Sequence, residues 1–279
     1  MIAQIRDIAA QLRSVYPAAE AEDLAWWVAE ETTGLTRSQI ITGCKITKNI
    51  PNVQEIVDRL LHFEPVQYIF GHTLWCGLDL KVTPATLIPR PETAELVDKV
   101  ERLQLKAERP KILDIGTGSG CIAIALKKRH PDWEVTGMDI SPEAIVVAQE
   151  NARRNGVEVN FLVADILSDE IGRIINSYDV IVSNPPYVCE REKEGMRRNV
   201  LDYEPATALY VPDDDPLRFY RRIAELSRLH SSPFTLFFEI NEAYPAELTA
   251  MLEVLGYTDI HVTNDIYGKP RIIDCRMVK

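Results

Sequence analysis

The chain has 279 residues, of which 46% are hydrophobic and 26% charged, a composition typical of a folded globular protein with one large domain or two ordinary ones. It contains no apolar run of the roughly 18 residues that a membrane-spanning helix needs, and its amphipathic start, "MIAQIRDIAAQLRSVYP", does not match a secretion signal. A net charge of −11 disfavours stable binding to nucleic acid, although it leaves room for a local basic patch. We therefore expect a cytoplasmic protein with no membrane segment.

The five cysteines are dispersed along the chain, with no C-x-x-C pair and no histidine at the spacing of a metal site. An odd, scattered set argues against a disulfide framework and against zinc. We predict that most of them are small buried hydrophobic residues and that the protein holds no metal. The set is Cys44, Cys76, Cys121, Cys189 and Cys275.

Residues 1–71 are predicted to form a small helical domain. A second amphipathic series, ended by Gly34, follows the helical spacing of apolar residues at the start of the chain. Two more helices are predicted over "TRSQIITG" and "PNVQEIVDRLLHF", the latter with Pro51 near its first turn. About four or five short helices would pack together here.

Residues 72–90 change pattern and are predicted to form a β-hairpin or an extended linker. "LWCGLDLKVTPATLIP" alternates apolar and polar residues and is broken by Gly77 and Pro84. A helix is predicted next over "RPETAELVDKVERL", with Pro91 and Glu92 in its first turn.

Strands alternate with helices from residue 110 onward, which indicates an α/β fold for a domain spanning 91–279. Helical patterns fall at about 120–129, 142–155, 216–230 and 243–255. The pattern predicts a seven-stranded, doubly wound, mostly parallel sheet. Its last two strands lack a helix-length connection and should pair antiparallel near an edge. The strands are "KILDI", "EVTGMDI", "EVNFLV", "YDVIVSN", "FTLFFEI", "TDIHVT" and "RIIDCRM".

The glycine-rich turn in "ILDIGTGSGCIAIAL" is the first candidate binding element. Gly116, Gly118 and Gly120 permit positive φ and let a ligand approach the backbone, with Thr117 and Ser119 between them. A dinucleotide fingerprint would place a glycine where Cys121 stands. Asp114 at the strand end instead favours a cationic ligand, such as the amino group or sulfonium of S-adenosylmethionine. A tight turn without a ligand is the plainer alternative.

Two further acids follow later strands. Asp139 ends the next strand, 19 residues past Gly120, where an acid in a doubly wound fold accepts hydrogen bonds from ribose hydroxyls. An acid at this position suits either a dinucleotide or S-adenosylmethionine. Asp165 could accept from the adenine amino group while Ile166 packs on the ring. Alternatively, Asp165 caps a helix in "ADILSDE".

"DVIVSNPPYV" ends a buried strand in the rigid corner Asn184-Pro185-Pro186-Tyr187. The Asn184 side-chain oxygen and the Pro185 carbonyl offer two acceptors where prolines have removed the donors. Their natural partner is a planar –NH₂ group, with Tyr187 lying against it. We predict that this strand lies beside the glycine-loop strand, where open α/β sheets bind ligands. A Pro-Pro turn that merely ends a strand is the alternative.

The pair D-x-G-x-G-x-G and N-P-P-Y resembles class I S-adenosylmethionine-dependent methyltransferases that modify exocyclic or amide nitrogens. Further motifs resemble the release factor glutamine methyltransferases, the HemK/PrmC family: "EPVQYIFG", "LIPRPETAELV", "YEPATAL" and "DIYGKPRII". The resemblance covers nearly the whole chain. Ala94, where the family often has an acid, and "LWCGLDL" depart from the pattern.

This resemblance implies a substrate, a cofactor and a set of contacts. The substrate would be the glutamine of the Gly-Gly-Gln tip of peptide chain release factors, methylated on its amide nitrogen (N5). Residues Gly116 to Gly120, Asp139, Ile166 and Asn184 would contact S-adenosylmethionine, and Asn184 to Tyr187 would hold the glutamine. The N-terminal helices and the hairpin would recognise the body of the release factor. We expect a monomer.

We expect direct methyl transfer in which the Asn184 and Pro185 acceptors polarise the amide N–H bonds. Three alternatives stay open: an adenine-N6 DNA methyltransferase, another RNA or protein-amide methylase, and a nucleoside-binding protein that docks a partner. Two interpretations stay open for Arg90 and Glu92. Either they only start a helix, with their charges in solvent, or they form a gate or a contact with the substrate.

Overall fold

The computed structural model describes residues 1–45, 52–105, 107–175, 177–228 and 232–278. The chain divides into two compact units. One consists of Met1–Gly71 with Arg197–Tyr203, and the other of His72–Met196 with Glu204–Lys279. None of the helices within the described residues is both long and apolar enough to cross a membrane.

The first unit is helical, as predicted. Its helices are α1 (Ile2–Leu12), α2 (Ala18–Thr33), α3 (Arg37–Ile41), α4 (Val53–Leu61) and α5 (Val66–Phe70). The apolar stripe of α1 packs into a core shared with α2 and α4. Helix α2 ends at Gly34 in the left-handed conformation, and Thr36 and Gln39 form a capping box at α3. Pro51 lies outside the described residues, and α4 begins at Val53.

The segment Arg197–Tyr203, which holds the short helix α10 (Arg198–Leu201), belongs to the first unit. The sequence assigns it to the domain 91–279. Its side chains explain the difference: Arg197 Nη1 lies 2.9 Å from Glu20 Oε1, and the Tyr203 hydroxyl donates to the His62 carbonyl over 3.0 Å. The Arg198 guanidinium lies 4.5 Å from the centre of the Phe63 ring.

The second unit opens with the predicted hairpin. Strands β1 (His72–Trp75) and β2 (Leu78–Lys81) pair antiparallel, and Gly77 has a φ of 75° in the turn. Helix α6 spans Thr93–Glu101. Its first turn therefore begins after Pro91 and Glu92 rather than on them.

A seven-stranded, mostly parallel sheet forms the centre of the second unit and confirms the predicted fold class. Its order is β10-β11-β9-β6-β3-β4-β5, with β11 antiparallel to both of its neighbours. The antiparallel final pair is thus confirmed. The strands are β3 (Lys111–Ile115), β4 (Glu134–Asp139), β5 (Asn160–Val163), β6 (Val180–Ser183), β9 (Phe234–Glu239), β10 (Thr258–Asn264) and β11 (Pro270–Met277).

Helices cover both faces of this sheet, and alternate strand residues pack into two separate cores. Leu236 and Phe238 of β9 join one core and Phe237 joins the other. A short parallel pair, β7 (Val188–Cys189) and β8 (Tyr210–Val211), was not predicted. The helices are α7 (Cys121–Arg129), α8 (Pro142–Arg154), α9 (Gly172–Ile175), α11 (Arg218–Ser227) and α12 (Pro245–Val254).

The topology places β6 next to β3, so Asn184 follows a strand beside the one that leads into the glycine loop. The cysteines are all free. Cys121, Cys189 and Cys275 are buried as predicted, whereas Cys44 is exposed and Cys76 half-buried.

Candidate active site

A cavity of 320 Å³ lies at the carboxyl ends of the parallel strands, within the second unit. Eight of the predicted site residues line it: Gly116, Gly118, Asp139, Asp165, Ile166, Asn184, Pro185 and Pro186. The sequence did not single out its other walls. These include Ala85, Thr86 and Leu87 from the linker, Ile140 and Ser141 after β4, and Pro205, Thr207, Ala208, Tyr210, Phe219 and Ile223.

The glycines of the loop serve different purposes. Gly116, Gly118 and Gly120 have φ values of 72°, 53° and 82°, so all three need glycine for their backbone conformation. Only the first two line the cavity. A Cβ on Gly120 would lie 3.0 Å from Ile124 Cδ1 and 3.1 Å from Ala148 Cβ. Gly120 therefore allows α7 and α8 to pack closely.

Thr117 and Ser119 are buried and do not line the cavity. The Thr117 hydroxyl donates to Asp114 Oδ2 over 2.6 Å, and the Ser119 carbonyl accepts from Asn151 Nδ2 over 2.9 Å. Both contacts hold the loop from behind. Their role in cofactor binding stays a prediction.

Asp114 is fully buried behind the loop and does not line the cavity either. Its Oδ2 accepts from Thr117 Oγ1 and, over 3.3 Å, from the Ala123 N–H. Within the described part of the chain, its Oδ1 has no hydrogen-bond partner. Burial raises the pKa of Asp114 to about 7, and the two hydrogen bonds only partly oppose this.

Asp139 connects the glycine loop to the start of α8. Its Oδ2 accepts from the Gly118 N–H over 2.8 Å and its Oδ1 from the Ser141 N–H over 2.9 Å. Burial raises the pKa of Asp139, and these donors oppose the rise. Asp165 Oδ1 accepts from the Leu167 N–H over 2.8 Å. No helix starts directly after Asp165, so the alternative that it caps a helix is wrong.

The Asn184-Pro185 corner lines the cavity with its orientation fixed by a neighbour. Asn184 Nδ2 donates to Thr93 Oγ1 over 3.3 Å. Tyr187, in contrast, is not among the lining residues. Its hydroxyl donates to Glu239 Oε1 over 3.0 Å, and its carbonyl accepts from Asn241 Nδ2 over 3.0 Å. Burial, with Glu239 nearby, raises the pKa of Tyr187.

The sequence reasoning missed Thr93 and Glu239, which meet behind this corner. The Thr93 hydroxyl donates to Glu239 Oε2 over 2.7 Å. Glu239 ends β9, a strand buried along its whole length, and is only 1% exposed. A lone acid in the apolar run "FTLFFEI" was the available signal, because an acid is rarely buried without partners.

Two family models match the chain: the PrmC N-terminal domain over residues 4–71 and the methyltransferase small domain over residues 94–202. A release factor glutamine methyltransferase of Bacteroides thetaiotaomicron is 47% identical over 266 residues, covering 94% of this chain and 95% of that protein. The same-named enzyme of Flavobacterium psychrophilum is 40% identical over 271 residues and 94% of each chain. The chain belongs to the release factor glutamine methyltransferase family.

A solved methyltransferase structure from Pyrococcus furiosus is also similar. It is 18% identical, with a TM-score of 0.51 over 73% of this chain and 90% of that chain. This likeness concerns the fold alone, and it agrees with the predicted class I methyltransferase fold.

Arg90 and Glu204, which lie in two motifs quoted for the family, form an ion pair in the second unit. Arg90 Nη2 lies 2.8 Å from Glu204 Oε1, and Glu204 Oε2 accepts from the Ile88 N–H over 3.2 Å. The Glu204 side chain is fully buried. The interpretation that leaves the Arg90 charge in solvent is therefore wrong. A role for Glu92 stays a prediction.

The residues present fit S-adenosylmethionine, the methyl donor of this family. Gly116 and Gly118 present backbone without side chains, and a Cβ on Gly116 would lie 3.9 Å from the Asn184 carbonyl oxygen. Asp139 and Asp165 supply acceptors, while Ile140 and Ile166 supply apolar surface for a ring.

Proposed function

We propose that this protein transfers a methyl group from S-adenosylmethionine to the side-chain amide nitrogen (N5) of the glutamine in the Gly-Gly-Gln motif of peptide chain release factors. Family membership supports the reaction class. The observation that carries the proposal is the Asn184-Pro185 corner on the cavity wall. Because Asn184 Nδ2 is engaged by Thr93, its Oδ1 is left to accept from a substrate.

Asn184 to Pro186 would hold the substrate, and the glycine loop would hold the cofactor. The Asn184 Oδ1 and the Pro185 carbonyl would accept hydrogen bonds from the two N–H groups of the glutamine amide. Asp139 and Asp165 accept from the nucleoside, against Ile140 and Ile166. S-adenosylmethionine, when bound, supplies a methyl group on a positively charged sulfur.

The two acceptors of the Asn184-Pro185 corner contribute most in the transition state. As the amide nitrogen bonds to the methyl carbon, the sulfur–methyl bond would break and leave a neutral thioether. Positive charge would then pass to the amide nitrogen, where the two acceptors would stabilise it. The rigid prolines also hold the amide in a fixed orientation, so part of the barrier is met by positioning. The nitrogen then loses one proton, to solvent or through the acceptors, and the product is a neutral N-methyl amide.

The test is methyl transfer from radiolabelled S-adenosylmethionine to four alternatives: a release factor, the same factor with its Gly-Gly-Gln glutamine replaced by asparagine, a DNA duplex, and no macromolecule. We expect label only in the unaltered release factor. Mass spectrometry of the digested factor should then place one methyl group on that glutamine. Label in the duplex, or equal label in both factors, would overturn the proposal.

A further inference from the structure

A chain of hydrogen bonds runs behind the cavity wall and ends at Asn184. Glu239 accepts from two hydroxyl groups, Thr93 Oγ1 at Oε2 over 2.7 Å and Tyr187 OH at Oε1 over 3.0 Å. Thr93 Oγ1 in turn accepts from Asn184 Nδ2 over 3.3 Å. Neither Thr93 nor Glu239 lines the cavity, and both are buried.

Donor and acceptor counts fix the direction of this chain. An ionised carboxylate can only accept, and a threonine hydroxyl has one proton to donate. Since Thr93 gives that proton to Glu239, its oxygen can meet Asn184 only as an acceptor. The Asn184 amide must therefore turn its –NH₂ end toward Thr93, and its oxygen is left for the substrate.

We infer that Glu239 is a positioning residue for methyl transfer: through Thr93 it sets which end of the Asn184 amide faces the substrate nitrogen. The inference rests on the proposed function. With the amide reversed, the –NH₂ of Asn184 would face the –NH₂ of the substrate glutamine, and two donors would oppose each other. One acceptor of the corner would then be lost.

Protonation of Glu239 should have the same effect as reversal, because a carboxylic acid can donate to Thr93 and release the Thr93 proton toward Asn184. Several groups act on Glu239. Burial and Glu92 raise its pKa, whereas the hydrogen bonds from Thr93 and Tyr187 and the charge of Arg271 lower it. The Tyr220 hydroxyl donates to the Glu239 backbone carbonyl over 3.1 Å. The balance raises the pKa of Glu239, so turnover should fall on the acid side.

The variants that test this are E239Q, T93V and T93S. Glutamine can donate to Thr93 and so permits the reversed amide, and valine removes the link altogether. We expect E239Q and T93V each to lower kcat for the release factor about 100-fold, the size of effect seen when one preorganised hydrogen bond is lost from an active site. T93S keeps the hydroxyl and should retain kcat close to wild type. E239Q should also lose the fall of kcat at low pH.

T235V is the matched control, because Thr235 is a buried threonine at the opposite end of β9. It should leave kcat unchanged. A second readout does not depend on turnover: the Asn184 Nδ2 signals of ¹⁵N-labelled protein, assigned by their loss in N184D, should shift in T93V and E239Q but not in T93S or T235V. Unchanged Asn184 signals in T93V, or wild-type kcat in both E239Q and T93V, overturn the inference. A wild-type enzyme that leaves release factor unmethylated while the signals shift overturns the proposed function instead.

Discussion

Asp114 combines complete burial with a carboxylate oxygen that has no hydrogen-bond partner among the residues the structure describes. Its pKa is raised from 3.8 to about 7, mainly by burial. The folded protein therefore binds this proton more tightly than the unfolded chain does. The resulting stabilisation is complete below pH 3.8 and is lost as the pH rises through about 7.

We predict that D114N removes this pH dependence. Between pH 5 and pH 7, the free energy of unfolding of the wild type should fall relative to that of D114N by on the order of 2 to 3 kcal/mol. Urea denaturation at both pH values measures the difference, with D132N at an exposed position as the control. If the difference in unfolding free energy between wild type and D114N stays constant with pH, the carboxyl is not buried as described.

In the proposed function, Asn184 is the residue on which substrate recognition would depend. We predict that N184A lowers kcat by about 100-fold or more, because an acceptor for the developing charge is lost. Affinity for S-adenosylmethionine should fall much less, since the glycine loop, Asp139 and Asp165 are retained. Steady-state kinetics and calorimetric titration separate the two effects, with N160A on β5 as a control at an exposed position. Near-normal turnover in N184A would contradict the assigned role.

At the scale of elements, the turn between β3 and α7 depends on close packing at Gly120. Gly120 and Gly156 both have positive φ, at 82° and 67°, but only Gly120 has atoms within 4 Å of the place a Cβ would occupy. We predict that G156A costs about 1 kcal/mol from backbone strain alone and that G120A costs at least about 2 kcal/mol more. Chemical denaturation of both variants compares them directly. Equal losses would mean that the α7–α8 contact tolerates a methyl group.

Most elements of the second unit could be predicted because buried strands are apolar runs bounded by turn residues. β3 coincides with "KILDI", and "FTLFFEI" overshoots β9 only by Ile240. The two-residue strands β7 and β8 were missed, since a pair of residues carries no periodicity.

Two polar pairs of the second unit were missed for a different reason. Thr93 and Glu239 are 146 residues apart, and Arg90 and Glu204 are 114 apart. The local sequence pattern does not show which polar groups, far apart in the chain, come into contact. It placed Asn184 and Pro185 correctly on the cavity wall, because the end of a strand beside the topological switch point is fixed by strand order. It placed Tyr187 on that wall as well, whereas the structure directs the Tyr187 hydroxyl to Glu239.

For the whole molecule, the cavity is built by one of the two units alone. Every residue that lines the cavity belongs to the second unit. The first unit matches the PrmC N-terminal domain and contributes its own core. We propose, as the family resemblance implies, that this unit recognises the release factor.

On this proposal, a short peptide containing Gly-Gly-Gln would occupy the cavity but would be too small to contact the first unit. We therefore predict that the peptide is methylated with a kcat close to that of the full release factor, but with a KM about 100-fold higher or more, because binding energy shared by ground and transition states affects KM alone. Steady-state assays with both substrates measure this split. A Gly-Gly-Asn peptide is the control and should receive no methyl group. Equal KM values for peptide and release factor would show that the helical unit contributes nothing to substrate binding. A lower kcat for the peptide would mean instead that contacts remote from the glutamine help to align its amide with the acceptors of Asn184 and Pro185.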